Sequence, residues 1–430
     1  MKGKERADWL ALIQRETSPA LGCTEPVAAA LCAAGAASML PGRPEQIALE
    51  ASEYILKNAM NVGIPGTHAV GLEMACALGA AVAQPEKGLL VLKGLTPEQK
   101  EFAQSLVDQG RVKVSKAGAG EKVYLRAVAK GGGHQGEAVI SGNHGHFSRM
   151  LRDGQVVSTD EPAFGGGKPA EAGTGLTVAG IWAFIQESRE EDFRFLDEAI
   201  ALNKAAAQEG LNGSYGLQVG QSLLEGDPGG LLGDGLANRA AAVTAAAADA
   251  RMSGCEKPVM SVAGSGNQGL TATLPVIVLT EEGPAAFREK QRRALALSIL
   301  ITIHAKEFLG KLSVLCGCSI AAAIGVTAAV VYLYGGTQKQ AELGIKTMTA
   351  DISGMICDGA KPGCALKIAT SVNVAMRAAS MACMNRGAGG HDGIVDQDVE
   401  MTLKNLGDLG TVGMSGTNLV ILEMLLKKQN

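Results

Sequence analysis

An uncharged run, SIAAAIGVTAAVVYLY at residues 319–334, limits most strongly how this chain can fold. No face of a helix made from it carries a charge, so such a helix has to be enclosed on all sides. The run is shorter than the ~20 residues that a bilayer-spanning helix needs. We therefore predict a buried core helix in a protein that does not enter a membrane.

The rest of the core has to be built from small and aliphatic side chains. Hydrophobic residues make up 47% of the 430 residues, but aromatic residues make up only 3%, which favours closely packed helices. The formal net charge is −4 and no long basic block occurs, so the sequence offers no electrostatic footprint for nucleic acid or an anionic membrane. The charged N-terminus, MKGKERADWLALIQRE, does not resemble a secretory signal. We expect a cytoplasmic protein that binds a small molecule.

The composition and the hydrophobic spacing of the chain change twice, which predicts an α+β fold with three segments. Residues 1–87 and 167–430 are rich in alanine and have helical spacing, including EQIALEASEYILKNAM at 45–60. Residues 88–166 contain a helix with a capping box that starts at Thr96. They also contain β-rich runs separated by glycines, namely GLLVLKGL, RVKVSKA, KVYLRAVAK, GEAVISG and GHFSRMLRDGQVVS. We predict a mostly α-helical core with a small inserted α/β domain that contains an antiparallel sheet.

Nine cysteines require an explanation, since disulfides are rare in a reducing compartment. The isolated ones are predicted to pack as small apolar residues, namely Cys32, Cys76, Cys255 and Cys383. CGC at 316–318 and CDGAKPGC at 357–364 differ, because a Gly/Pro loop can bring both ends of the second motif to one centre. The paired CxxC knuckles of a zinc ribbon are missing, and iron–sulfur clusters prefer thiolates and tolerate irregular spacing. The residues alone leave packing and a metal site open, with a cluster ahead of zinc.

Three motifs, in this order, carry a specific resemblance: SPALGCTEPVAAA, KLSVLCGCSIAAAIG and GMICDGAKPGCALK. They resemble the L-cysteine desulfidase family, which is related to the iron–sulfur L-serine dehydratases, over nearly the whole chain. The resemblance implies a [4Fe-4S] cluster held by three cysteines, with the fourth iron open for substrate and no pyridoxal phosphate. It also implies that residues 1–87 and 167–430 form the catalytic core.

The resemblance also implies which cysteines act. Cys357 and Cys364 match the ligand pair, and the third ligand is Cys316, with Cys318 as the alternative. Cys23 matches an additional functional cysteine, either the base that removes the α-proton or a temporary fourth ligand. Since Cys23 lies just before a predicted helix, we expect the helix dipole to lower the pKa of its thiol.

Two further segments are candidates for binding the amino-acid substrate. KNAMNVGIPGTH contains Asn58, Asn61 and His68, and AGSGNQG contains Ser265 and Asn267. Amide and hydroxyl groups suit an amino acid's carboxylate or ammonium, although both segments also read as simple turns. GSGNQG lacks the GK[ST] ending of a phosphate-binding loop, so we do not expect a nucleotide.

The expected function is that of a carbon–sulfur lyase, converting L-cysteine by β-elimination to hydrogen sulfide, pyruvate and ammonia. The substrate sulfur would bind the open iron. Alternatives are an iron–sulfur L-serine dehydratase and a non-catalytic, metal-bound redox scaffold. Faces rich in alanine and glycine often bury against a partner, so we also expect a homodimer.

Overall fold

The computed structural model describes residues 3–60, 62–67, 69–118, 121–142, 144–159, 174–225, 232–310 and 313–428, with no side chains described for 3–5. Helices account for 59% of the residues and strands for 13%, with a mixed sheet and a small antiparallel sheet. These features confirm the predicted α+β class.

Five α-helices precede the end of the sheet region, and most are rich in alanine. They are α1 (Gly3–Glu16), α2 (Thr24–Ser38), α3 (Glu53–Ala59), α4 (Leu72–Val82) and α5 (Pro97–Asp108). The capping box at the start of α5 is confirmed, because Thr96 and Gln99 exchange side-chain to backbone hydrogen bonds. The strand predicted for GLLVLKGL is wrong: Pro85–Leu90 is a 3₁₀-helix, and Gly88 and Gly94 have positive φ angles that interrupt an extended path.

Six strands form the main sheet and two form a separate small sheet. The strands are β1 (Thr17–Ala20), β2 (Gln46–Ala51), β3 (Val112–Lys116), β4 (Tyr124–Gly131), β5 (His134–Ser141), β6 (Phe147–Arg152), β7 (Gln155–Ser158) and β8 (Val259–Val262). The main sheet has the order β3-β2-β4-β5-β6-β7. The predicted antiparallel pairing is confirmed from β4 to β7, and the pair β2–β3 is parallel. The small sheet is the antiparallel pair β1–β8. The start of α2 contacts the loop after β8, because Thr24 Oγ1 donates to the Gly264 carbonyl (3.5 Å).

Strand β2 corrects the helical prediction for 45–60. Ile47, Leu49 and Ala51 are buried and alternate with exposed or half-buried residues, which is the period of a strand rather than of a helix. Only the second half of that segment is helical, as α3. Because β2 lies between β3 and β4, the sheet includes a strand from before residue 88. The division of the chain into three segments stays a prediction.

In the described part of the second half of the chain, β8 is the single strand and the other regular elements are helices. Its α-helices are α6 (Val178–Glu187), α7 (Asp197–Asn212), α8 (Val219–Leu224), α9 (Leu236–Met252), α10 (Gly266–Glu282), α11 (Ala285–Arg288), α12 (Gln291–Leu309), α13 (Ala321–Leu333), α14 (Gln338–Ile352), α15 (Cys364–Cys383), α16 (Val399–Asp408) and α17 (Thr417–Lys427). All of α13 is buried, which confirms the predicted core helix. In the described part of the chain, no single helix is long and apolar enough to cross a membrane; Val399–Gly413 together with Thr417–Lys427, a bent pair, meets that test by length and composition.

The described residues form two large apolar cores. One surrounds α12 and α13, and the other lies between α2, α4 and the main sheet. Cys23, Val62, Met252 and Cys364 pack together as a small third cluster. The CGC and CDGAKPGC motifs adjoin both cores, because Leu315 belongs to the first core, Ile356 packs against the second, and these two residues form a bridge.

A candidate thiol-rich active site

A short antiparallel bridge between Leu315 and Ile356 joins the two cysteine motifs. The Cys316 amide donates to the Met355 carbonyl (2.9 Å), and the Cys357 amide donates to the Val314 carbonyl (2.6 Å). Side chains alternate along an extended chain, so Cys316 and Cys357 project from the same face of this bridge. As diagonal neighbours on that face they are near enough to share a group placed between them.

The glycine of CGC lies against the side-chain ends of Gln268 and Lys306. A Cβ atom on Gly317 would lie 2.7 Å from Gln268 Oε1 and 2.9 Å from Lys306 Nζ. The flanking thiols are in contact, with Cys316 Sγ 3.3 Å from Cys318 Sγ. A hydrogen bond from Cys318 lowers the pKa of Cys316 to about 6, and the same bond raises the pKa of Cys318. The hydrogen bond between the two thiols therefore favours ionisation of Cys316 over ionisation of Cys318.

Cys364 and Cys23 both stand at helix N-termini and are buried. Cys364 is the first residue of α15, and Cys23 is the N-cap of α2. Burial raises the pKa of Cys364 to about 12. Burial also raises the pKa of Cys23, followed by the Glu25 carboxylate, whose Oε2 lies 3.7 Å from the thiol, while the charge of Arg251 acts in the opposite direction. The expected lowering by the helix dipole is wrong, because burial outweighs it.

Lysine side chains hold the backbone around these cysteines. Lys57, only 1% exposed, donates from Nζ to the Cys357 carbonyl (2.8 Å) and to Asn418 Oδ1 (2.7 Å). Lys361 is half-buried and donates to the Met60 carbonyl (2.6 Å). Lys367 donates to the Ile356 carbonyl (3.0 Å) and pairs with Asp358.

The four predicted substrate-binding residues have different surroundings. Asn58 is buried next to Glu25, with its Nδ2 donating to Glu25 Oε1 (2.9 Å), and its Oδ1 has no hydrogen-bond partner among the described residues. Asn267 is buried beside Met252, donating from Nδ2 to Met252 Sδ (3.4 Å). Ser265 is the N-cap of α10, and its hydroxyl accepts from the Gln268 amide (3.4 Å). Asn61, like His68, lies outside the described residues.

Arg251 and Lys57 are site residues that sequence reasoning missed. Arg251 is 4% exposed and donates from Nη1 to Asn267 Oδ1 (3.0 Å) and from Nη2 to the Gly22 carbonyl, immediately before Cys23. The only signal for Arg251 was a basic residue near the end of the alanine-rich segment that forms α9. Lys57 gave no signal, because a lysine near the end of a short helix usually faces solvent.

The chemistry of the donors fits an iron–sulfur cluster. All nine cysteines are free thiols, and Cys316, Cys357 and Cys364 are near enough for their charges to interact. Among the described residues, no group of three or more Cys, His, Asp or Glu side chains is already gathered to hold a metal ion. Lys57 and Lys306 nevertheless supply positive charge without a carboxylate partner in the described part of the chain, which suits a cluster made anionic by three thiolates.

Fold and site together define a class: an α+β protein whose helical core carries a group of buried cysteines. The family model described as serine dehydratase alpha chain matches residues 86–423, and the chain belongs to that family. The family is associated with iron–sulfur enzymes and with lyases of the dehydratase type. The matched range contains the ligand candidates Cys316, Cys357 and Cys364, whereas Cys23 precedes it.

Relatives extend the similarity to the whole chain. UPF0597 protein BF3560 of Bacteroides fragilis is 42% identical over 429 residues and covers 100% of both chains. A UPF0597 protein of Oleidesulfovibrio alaskensis is 41% identical over 99% of each chain. A UPF0597 protein of Shewanella baltica is 39% identical over 97% of this chain and 98% of its own. The SPALGCTEPVAAA motif, which contains Cys23, therefore falls within the length shared with these relatives.

Proposed function

We propose that this protein is a [4Fe-4S]-dependent L-cysteine desulfidase that needs no pyridoxal phosphate. It eliminates sulfide from L-cysteine and yields hydrogen sulfide, pyruvate and ammonia. The observation that carries the proposal is the meeting of both cysteine motifs with Cys23 at the junction of the two cores. Buried amides of Asn58 and Asn267 at the same place suit a small polar amino acid.

Cys316, Cys357 and Cys364 are the proposed ligands of the cluster. Cys316 is preferred to Cys318 because it shares the face of the Leu315–Ile356 bridge with Cys357. When bound, the cluster supplies a Lewis acid that makes the substrate's sulfur a better leaving group. Lys57 supports this arrangement by fixing the carbonyl of Cys357.

Cys23 and Glu25 are the proposed groups for proton transfer. Glu25 Oε2 accepts the hydrogen bond of the Cys23 thiol and is the acceptor for its proton, while the charge of Arg251 acts against burial and Glu25 to favour the thiolate that serves as the base. Cys23 Sγ then removes the α-proton while the Cβ–S bond breaks and sulfide leaves. The resulting aminoacrylate tautomerises to an imine, which one water molecule hydrolyses to pyruvate and ammonia. In the resting protein, Cys23 can instead serve as a fourth ligand.

Asn58 and Asn267 are the proposed substrate contacts. The unpaired Oδ1 of Asn58 is an acceptor that suits the substrate ammonium. Ser265 acts through its cap, by positioning the first turn of α10 that carries Asn267. The assignment of Asn61 rests on its sequence motif.

The experiment is turnover by anaerobically reconstituted protein, with sulfide and pyruvate measured for L-cysteine and L-serine. We expect kcat/KM to be higher for L-cysteine. We also expect the Cys23→Ala protein to keep its visible absorbance and lose turnover, whereas Ser18→Ala, a matched change on β1, keeps both. Full activity in iron-free protein would refute the proposal.

Serine dehydration is the second candidate, because the matching family is described by that substrate. It predicts faster water elimination from L-serine than sulfide release from L-cysteine. A non-catalytic redox scaffold predicts no turnover of either amino acid. In a scaffold held by four thiolates, Cys23→Ala would also remove the cluster.

A further inference from the structure

Arg251 is a buried cation without an anion. It is 4% exposed, and its side chain donates to two neutral oxygens, Asn267 Oδ1 and the Gly22 carbonyl. No ion pair in the described part of the chain includes it, and Arg251 Nε has no hydrogen-bond partner there. Burying an ionised group without an anionic partner costs several kcal/mol. Such a residue is retained in a protein when something else neutralises it.

The guanidinium of Arg251 lies beside the buried cysteines of the site. Arg251 is followed by Met252, whose side chain packs against Cys23 and Cys364. The guanidinium also lies against the first turn of α10, since a Cβ on Gly266 would be 2.4 Å from Arg251 Nε. The first amides of a helix have no intrahelical partner and form the positive end of its dipole. An unpaired guanidinium N–H and a helix N-terminus therefore meet beside the cysteines.

The lysines of the site are less suited to hold a carboxylate. Lys57 and Lys361 both donate to backbone carbonyls, and Lys367 is paired with Asp358. Arginine differs from these residues because its planar fork offers N–H groups in the geometry of a carboxylate. Arg251 can keep its two observed partners and still donate from Nε.

We propose that Arg251, with the N-terminus of α10, binds the α-carboxylate of the substrate. The site then selects α-amino acids over amines that carry the same thiol but no carboxylate. This inference rests on the proposed function only in that the site takes an amino acid; it holds equally for L-cysteine and L-serine.

The test measures equilibrium binding to the anaerobic holoenzyme by calorimetry, with two thiols that lack the groups needed for elimination. 3-Mercaptopropionate has a carboxylate and no amine, and cysteamine has an amine and no carboxylate. We expect Arg251→Gln to weaken the binding of 3-mercaptopropionate by at least about 30-fold, which is the usual effect of removing one partner of a buried charge pair. Binding of cysteamine should change by less than about threefold, and Arg251→Lys should give an intermediate loss for 3-mercaptopropionate only.

Equal weakening of both thiols would overturn the inference, because Arg251 would then merely support the shape of the site. Unchanged binding of 3-mercaptopropionate would overturn it as well. If Arg251→Gln does not fold, as judged by thermal unfolding and visible absorbance, the same comparison on Arg251→Lys decides. Failure of the proposed function is distinguishable: a protein that binds 3-mercaptopropionate through Arg251 and releases no sulfide from L-cysteine refutes the desulfidase and leaves this inference standing.

Discussion

Replacing His304 by glutamine removes the cation from a buried cluster that fixes α12, the helix preceding the CGC motif. His304 is 3% exposed, with Nε2 2.6 Å from Glu400 Oε2 and Nδ1 3.6 Å from Glu307 Oε2. The remaining carboxylate oxygens accept from the amides of Val178 and Thr174. These contacts make His304 a buried core histidine held between two carboxylates.

The size of the effect follows from the pKa of His304. Burial acts to lower it, but the hydrogen bond with Glu400 and the negative charges of Glu307 and Glu400 outweigh burial and raise it from 6.5 to about 9. At about 1.4 kcal/mol for each pH unit, the rise is worth about 3 kcal/mol of stability. Because the folded-state pKa is the higher one, this stabilisation is complete below about pH 6.5 and is lost as the pH rises through about 9.

The assay is the free energy of unfolding in urea for the wild-type and His304→Gln proteins at several pH values between about 6 and 10. We expect the variant to be less stable by up to about 3 kcal/mol at the acid end, with the gap closing towards the alkaline end. His391→Gln, at an exposed position, is the matched control and should show no such gap. A gap that is constant, or that widens as the pH rises, would refute the reasoning.

Three other predictions test the site and the assembly. Cys316→Ser should lose most of its iron and acid-labile sulfide, whereas Cys318→Ser should keep them; the reverse result would make Cys318 the third ligand. Gly317→Ala should lower cluster content, because the added Cβ would displace the side-chain ends of Gln268 and Lys306 next to the CGC motif. Gly354→Ala, with no atom within 4 Å of its added Cβ, is the control, and equal cluster content in the two variants would contradict this. Light scattering should give twice the chain mass of 44.0 kDa, and a single-chain mass would exclude the homodimer.

The sequence correctly predicted those elements whose structure depends on neighbouring residues. The uncharged run that forms α13 and the cap of α5 needed no distant partner to be recognised, because each is determined by neighbouring residues. β2 was missed for the opposite reason. Its partners, β3 and β4, come from more than sixty residues further along the chain, and six residues are too few to separate strand from helix by periodicity.

The same distinction explains which parts of the site were found. Cysteines grouped around glycines are unusual enough to be noticed, so Cys316, Cys357 and Cys364 were named from the sequence. The bridge that aligns Cys316 with Cys357 depends on backbone pairing between distant loops and has no sequence signature. Arg251 and Lys57 were missed because burial of a charge is a property of the tertiary structure.

Those buried charges suggest how the site and the fold depend on each other. Arg251 and Lys57 are almost fully enclosed and have no carboxylate partner in the described part of the chain, although the chain as a whole carries a net charge of −4. Buried cations of this kind destabilise the folded protein unless anions neutralise them. The anions that we propose are the cysteine thiolates with their cluster and the substrate carboxylate. A ligand that binds the folded state alone stabilises it by mass action. Loading the site should therefore stabilise the fold around it, because Arg251 and Lys57, the buried cations that destabilise the empty site, lie where we propose that the amino acid and the cluster bind.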